Sequence, residues 1–357
     1  MSIGTARNIR AVILGSALLL AATGWAREKT DVIIMKNGDH MTGEIKGLNQ
    51  ATLYVSLDYV VSTMSVDWSK VARLESKQLF IVKTEEGSVY TGTLRMTETP
   101  AGRPVQIQEV EDPREEVAID SSRLVQMTET SEKFWQRFNG AVSWGIIYAK
   151  GNQSTQYNLG SQTEYLRERW SASANLTSNL SVSSGVTAAT RNQLNLNGQH
   201  LMRWNNYFYG GLAGFLQSSE QGIQRQTSLG GGIGRYLKNT DRATLSVLGG
   251  FAWQETRYQH STTPIGTQDV AAGLIAANLK LFKFNKTNLN VTAVLLPALS
   301  QPGRLYFNTN ATYYLKITGN LSWNISFYGN WDTQPPANLP GSDYGTSSGL
   351  SWTFGLK

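Results

Sequence analysis

Leu321-Ser322-Trp323-Asn324-Ile325-Ser326-Phe327 changes from apolar to polar at every step, and this alternation decides the fold. Successive side chains of a strand point to opposite faces, so Leu321, Trp323, Ile325 and Phe327 share one face and Ser322, Asn324 and Ser326 the other. The pattern recurs. Leu350, Trp352, Phe354 and Leu356 alternate with Ser351, Thr353 and Gly355; Leu289, Val291, Ala293 and Leu295 alternate with Asn288, Asn290 and Thr292; Trp170, Ala172, Ala174 and Leu176 alternate with Ser171, Ser173, Asn175 and Thr177. The polar face is Asn, Ser, Thr, Gln and Gly with almost no charge. A soluble sandwich would meet water with Lys and Glu, whereas a transmembrane barrel turns its apolar face to lipid and its polar face to the lumen. The expected fold is all-β, with an antiparallel transmembrane barrel.

Working outward, about twelve such segments are centred near residues 143, 160, 175, 197, 212, 231, 248, 275, 292, 309, 326 and 350, an even number that returns both ends to one side. The connections at 167–169, 203–205, 238–241, 283–286 and 316–319 are short. Those at 181–191, 257–268 and 332–343 are longer, the inside–outside asymmetry of an outer-membrane barrel. Aromatics gather at both ends. Tyr165, Trp170, Trp204, Tyr207, Tyr209, Tyr236, Phe284, Tyr313, Tyr314, Trp352 and Phe354 lie toward the short turns. Tyr148, Tyr157, Trp253, Tyr258, Tyr306, Trp331 and Tyr344 lie toward the long loops. Two such belts match an apolar band about 25 Å tall. The expected lumen set is Gln156, Asn158, Gln162, Asn175, Gln193, Asn195, Asn197, Asn290, Asn308, Asn310 and Asn324, all uncharged amides.

Composition agrees. The 357 residues include 34 Gly, 15 Tyr, 10 Trp and no Cys, and only 16% are charged. Without Cys there is no disulfide scaffold, Cys nucleophile or zinc–thiolate site. The net charge of +6 is spread along the chain, so no basic patch points to nucleic acid. At the N-terminus, Arg7 and Arg10 precede the apolar run 11–22, with Gly24 and Ala26 as a cleavage pair; residues 1–26 read as a signal peptide.

Residues 27–133 differ, being richer in charge and turn signals, and read as a small periplasmic β domain built from an internal repeat, about 31–76 and 79–128. Val32-Ile33-Ile34-Met35 runs into Lys36-Asn37-Gly38-Asp39, a hairpin signal, and Phe80-Ile81-Val82-Lys83 into Glu85-Glu86-Gly87-Ser88. An insertion near Pro100-Ala101-Gly102 separates the copies. Asp67 and Asp120 hold matching positions; they read as turn-capping residues rather than ligands. His40 reads as a solvated turn residue. The barrel spans 134–357. The charged turns of the small domain (Glu85, Glu86, Glu111, Asp112, Arg114, Glu115, Glu116) have no evident counterpart in an amide-lined lumen, so the domain reads as a binding or tethering module rather than a plug.

Asp31-Val32-Ile33-Ile34-Met35-Lys36-Asn37-Gly38-Asp39 with Thr42-Gly43-Glu44-Ile45, then Val66-Asp67-Trp68, followed by a barrel, resembles the domain-of-unknown-function 481 family. Its members are described as salt-induced outer-membrane proteins, so the resemblance implies location and fold and brings no chemistry or ligand. The final strand is similar to the aromatic-ended assembly signal of outer-membrane proteins but ends Phe354-Gly355-Leu356-Lys357.

An enzyme is not expected. A serine hydrolase, as in the outer-membrane phospholipase A family, needs a His base beside a Ser. On a strand His and Ser at i and i+2 share a face, but His200 is followed at i+2 by Met202, and His260 lies in a loop among Ser261, Thr262 and Thr263. No catalytic, metal or cofactor site is expected. The expected partners are outer-membrane lipid, the barrel assembly machinery, and peptidoglycan or a periplasmic protein. The function read from the sequence is a structural or envelope-stress barrel with a periplasmic binding or tethering module; the alternative is a narrow, neutral-lined diffusion channel.

Overall fold

The structure, a computed structural model, describes residues 29–60, 63–96, 104–109, 116–130, 138–149, 154–167, 169–183, 188–202, 205–258, 267–283, 287–336 and 339–354. The signal-peptide reading, the insertion near Pro100 and the final tripeptide lie outside these residues, as do Trp204, His260 and Phe284.

The N-terminal part is one antiparallel sheet of β1 (Asp31–Met35), β2 (His40–Asn49), β3 (Thr52–Ser56), β4 (Met64–Asp67), β5 (Val71–Thr84), β6 (Val89–Met96), β7 (Pro104–Glu109), β8 (Glu116–Asp120) and β9 (Leu124–Glu129). Its order is β4-β3-β2-β1-β5-β6-β7-β8, with β9 pairing both β2 and β5. β5 serves both halves of this sheet. A register shift between Ser76 and Phe80 divides it. Its first half pairs with β1 (Ile33↔Leu74) and its second with β9 (Ile81↔Thr128). Each half of the sheet therefore ends on a strand the other half needs. At the matching ends, Asp67 accepts from the Ser69 N–H at 3.0 Å and Asp120 from the Ser122 N–H at 2.8 Å, each capping a three-residue 3-10 turn. Trp68 Nε1 donates to the Ser121 carbonyl at 2.8 Å, joining the two 3-10 turns in the interior. Ile33, Ile45, Leu74, Phe80, Val82, Ile107 and Met127 form one shared core with no accessible surface.

The remaining strands close on themselves: β10 (Phe138–Ala149), β11 (Ser154–Leu166), β12 (Trp170–Val182), β13 (Ala189–Leu201), β14 (Tyr207–Ser218), β15 (Ile223–Asn239), β16 (Ala243–Tyr258), β17 (Thr267–Lys283), β18 (Thr287–Pro297), β19 (Leu305–Thr318), β20 (Leu321–Asp332) and β21 (Ser342–Phe354). β21 returns to β10 from Gly140↔Phe354 to Trp144↔Leu350, so the barrel of twelve strands has no free edge. Directly paired residues share a face, and following them around places Asn158, Asn175, Asn195, Asn290, Asn310 and Asn324 inside, with Trp144, Leu196, Ile275 and Ile325 outside. The outer set is exposed, as a lipid-facing wall must be. Where the lumen receives a large ring, the neighbour is small: a Cβ on Gly234 would run into the Phe208 ring.

Candidate functional site

The short-turn mouth of the barrel meets the N-terminal sheet. The turn between β5 and β6 inserts its tip there. Asn206 Nδ2 donates to the Glu85 carbonyl at 2.7 Å, and Asn239 Nδ2 donates to the Thr84 carbonyl at 3.3 Å and to Asn206 Oδ1 at 3.0 Å. Gly87, with φ +83°, lies against Asn206, where a Cβ would clash. Further round the rim, Asn288 Nδ2 donates to Gln50 Oε1 at 3.0 Å and Lys316 Nζ to Ser65 Oγ at 3.3 Å. The sequence reading looked for a counterpart to these charged turns in the lumen; the β5–β6 turn meets the barrel at its rim instead. Its charged tip is matched by turn asparagines that satisfy its backbone carbonyls, and the sheet roofs the mouth. Lys83 looks down into the lumen. Burial pushes its ammonium below the ordinary value; Glu164 opposes that and Lys280 adds to it. Burial raises the Glu85 carboxyl, Asp241 raises it further and Arg123 opposes.

Below the roof is a cavity of about 500 Å³. One wall is amide and hydroxyl: Asn158, Gln162, Asn175, Asn195 and Asn324 line it, as expected. The facing wall carries Leu212, Leu248, Ala276 and Val294, an apolar strip that the amide reading missed. Its signal is present in the sequence, because the lumen parity of β17 reads Val270, Ala272, Leu274, Ala276 before it reaches Asn278.

The cavity is lined toward the long loops by Gln193, Gln226, Leu296, Tyr328 and Asn330. Toward the long loops the lumen is packed. Ala252, Val270, Ala272, Leu274, Leu296 and Tyr306 form a buried cluster inside the wall. Opposite, Arg191 Nη1 donates to Asp343 Oδ2 at 2.6 Å, Ser218 Oγ donates to the same oxygen at 2.8 Å, and the guanidinium lies 4.3 Å from the Tyr328 ring centre. Arg304 forks onto Asp332 at 2.9 and 2.6 Å and lies over the Tyr306 ring. The described residues between β20 and β21, 333–336 and 339–341, reach across the mouth: Leu339 packs on Leu216, Ile223 and Tyr258, half the barrel away. The gap left beneath this strap is about 20 Å³, room for roughly one water.

Of the aromatics assigned to the membrane interfaces, Trp170, Tyr209, Trp253, Tyr313 and Trp352 are exposed on the outer face. Tyr165 is buried there between Phe138 and Trp170, Trp331 stacks between Phe307 and Tyr344, and Tyr207 lies beneath Arg235. Phe354 packs against Gly140 at the barrel seam. Tyr148 lies on β10, its side chain outside the described residues. Tyr236 is a correction: its hydroxyl exchanges hydrogen bonds with the lumen residue Gln199 at 2.7 and 3.1 Å. Tyr258, Tyr306 and Tyr314 also turn inward, since depth along a strand does not say which face a ring takes. His200 pairs in register with Trp170 and Tyr209 on the outer face, and His40 begins β2, exposed. Among the described residues no three His, Asp or Glu side chains gather to hold a metal.

The profile of the family described as "Protein of unknown function, DUF481" matches residues 142–354. No curated protein matches the chain. Among solved structures it is similar to the translocator domain of autotransporter NalP from Neisseria meningitidis, with 13% identity and TM-score 0.31 over 61% of this chain and 87% of that one. It is also similar to CdiB from Acinetobacter baumannii, with 8% identity and TM-score 0.34 over 64% of this chain and 61% of that one. A porin matches with 10% identity and TM-score 0.28 over 91% of this chain and 98% of that one.

Proposed function

The chain belongs to the DUF481 family, and from the geometry of its barrel we propose that it is a closed outer-membrane protein with a periplasmic binding or tethering module, and neither an enzyme nor an open pore. The observation that carries this is the packed long-loop half of the lumen. Leu274, Leu296 and Tyr306 fill one side, and the Arg191–Asp343 pair holds the other. A diffusion pore needs a continuous wet path with side chains poised to admit and release solute, whereas here the path stops in buried ion pairs and apolar contacts. The N-terminal sheet, seated at the short-turn mouth, belongs on the periplasmic side, since short turns face the periplasm in such barrels. There its undocked surface is free for peptidoglycan or an envelope protein. The amide-lined cavity favours a second reading, a narrow neutral channel that opens on demand.

Planar-bilayer recording of the intact, purified protein decides between them. The closed reading expects no steady current across the physiological voltage range. Reproducible unitary steps that vanish in an unfolded control would discard it in favour of the channel.

A further inference from the structure

We infer that the lumen cavity is a binding site for a neutral, polyhydroxylated ligand of the saccharide class, reached from the short-turn mouth; the route, though not the site, rests on the closed-barrel reading above. At about 500 Å³ the cavity falls within the range of small-molecule sites, ~300–1,000 Å³. Its lining pairs two chemistries across one space. Asn158, Gln162, Asn175 and Asn195 offer uncharged donors and acceptors, and Leu212, Leu248, Ala276 and Val294 face them with hydrocarbon. A sugar ring has that same division, with hydroxyls at its rim and C–H groups on its faces. An alkyl chain would leave the amides unpaired, which costs ~1–3 kcal/mol per group. A fully charged ligand would find no complement, because the charged lining residues are Lys83, Glu164, Asp241 and Lys280, two of each sign, all at the mouth.

Two polar atoms in this lining point to what it takes. Asn158 Nδ2, a donor, and Asn290 Oδ1, an acceptor, are buried without a hydrogen-bond partner among the described residues. Buried amides are nearly always satisfied, and both residues line the cavity, so a small turn of either side chain brings its unpaired atom to a hydroxyl there. A hydroxyl both donates and accepts, so a ligand carrying several can answer either kind of atom. Access is from below, since the lumen is packed toward the long loops, while at its lower end the cavity meets Asn49, Gln50, Lys83, Thr84, Gly87, Val125 and Gln126 of the N-terminal sheet.

The test uses the full chain in lauryldimethylamine oxide, a detergent without a sugar headgroup, titrated calorimetrically with cellobiose and with N,N′-diacetylchitobiose. Saturable binding of either supports the site; the tighter one tells whether plain hexoses or N-acetylated wall-type sugars are its source. Asn158→Leu and Asn290→Leu should each weaken binding about three- to tenfold, the worth of one neutral hydrogen bond of ~0.5–1.5 kcal/mol. Neither change breaks a side-chain hydrogen bond among the described residues, so both variants should keep the heat-modifiable gel migration of a folded barrel. Leu289→Ala, on the lipid face, should leave binding unchanged. No saturable binding of either sugar, or equal binding by both folded Asn variants, overturns the site. Bridging Gln50→Cys to Asn288→Cys with a bifunctional maleimide, unambiguous in a chain without Cys, should slow association more than tenfold; an unchanged rate overturns the route. A conducting barrel that still binds sugar would discard the closed reading and keep the site, and a closed barrel that binds neither would discard the site alone.

Discussion

Arg191 and Asp343 come from strands a third of the barrel apart and are both almost fully buried, which makes their pair a constraint rather than a bonus. Burying two charges costs several kcal/mol per ion, and their attraction only offsets that while both are present. Asp343→Asn should therefore cost about 3–5 kcal/mol in reversible unfolding, because Arg191 would keep its burial and lose its counter-charge. The double change R191M/D343L should be nearer to the unchanged protein than either single change; additive losses would show the pair to be a simple sum of contacts. On the outer wall the reasoning is about solvent instead of pairing. Ile325 faces lipid and Asn324 the lumen, so Ile325→Arg should cost about 2–4 kcal/mol and Asn324→Arg less. Equal losses on folding into lipid would place both on one face. This inside–outside distinction is what the sequence displays best, because period-two alternation is a local property of each strand. What it hides is visible at Tyr236. Belt membership was read from depth along the strand, and depth is blind to face; the ring points to Gln199, and the register shift just after it changes the parity of β15.

The β5–β6 turn is the element that joins the two parts of the molecule, and nothing in Glu85-Glu86-Gly87-Ser88 distinguishes it from a solvated hairpin. Its partners Asn206 and Asn239 are equally plain in sequence, as turn residues tolerant of left-handed backbone; Asn205 and Asn206 have φ 51° and 60°. Docking contacts between distant turns carry no periodicity, so they could not be read without coordinates, whereas Asp67 and Asp120 could, because a cap acts two residues away. The docked turn has a testable pH dependence. Glu85 faces Asp241 of the β15–β16 turn and Arg123 of its own sheet, and its carboxyl is raised by burial first and Asp241 second. A group that holds its proton more tightly when docked makes docking take up a proton, so its contribution is present at acid pH and is lost as pH rises through the raised value. Lys83 acts in the alkaline range: its lowered value makes docking release a proton, so its penalty lifts as pH rises toward the ordinary amine range. Protection of Asn206 and Gly87 amides from hydrogen exchange, corrected for intrinsic rates, should accordingly increase as pH falls into the carboxylate range. Glu85→Gln should flatten that acid limb. An unchanged acid limb in this variant would transfer the effect to Asp241.

At the scale of the whole molecule the two parts are coupled by few bonds and stabilised by separate cores. The sheet has a continuous interior from Ile33 to Met127, and the barrel has its ladders and its buried long-loop cluster. Beside the packing of Gly87 on Asn206, the described polar contacts between them are a handful of hydrogen bonds from side chains at the barrel rim, each worth about 0.5–1.5 kcal/mol. A coupling that small is below what is needed to merge two cooperative units into one. Within the sheet the opposite holds: β5 serves both halves, β9 closes against β2 and β5, and the Trp68–Ser121 bond crosses between them, so neither half can open without uncovering the other's core. Heating the full chain should therefore give two transitions, the sheet first and as a single step, the barrel later. A fragment of residues 29–130 should fold alone and melt within a few degrees of the first transition. Trp68→Phe should lower that transition while leaving it single, because it removes a buried hydrogen bond from a core both halves share. If the sheet instead melts in two steps, its halves are independent units, and the strand they share is not what holds them together. If the fragment fails to fold while the full chain gives one transition, the barrel mouth is part of the sheet's core, and the docked turn contributes far more than its hydrogen bonds indicate.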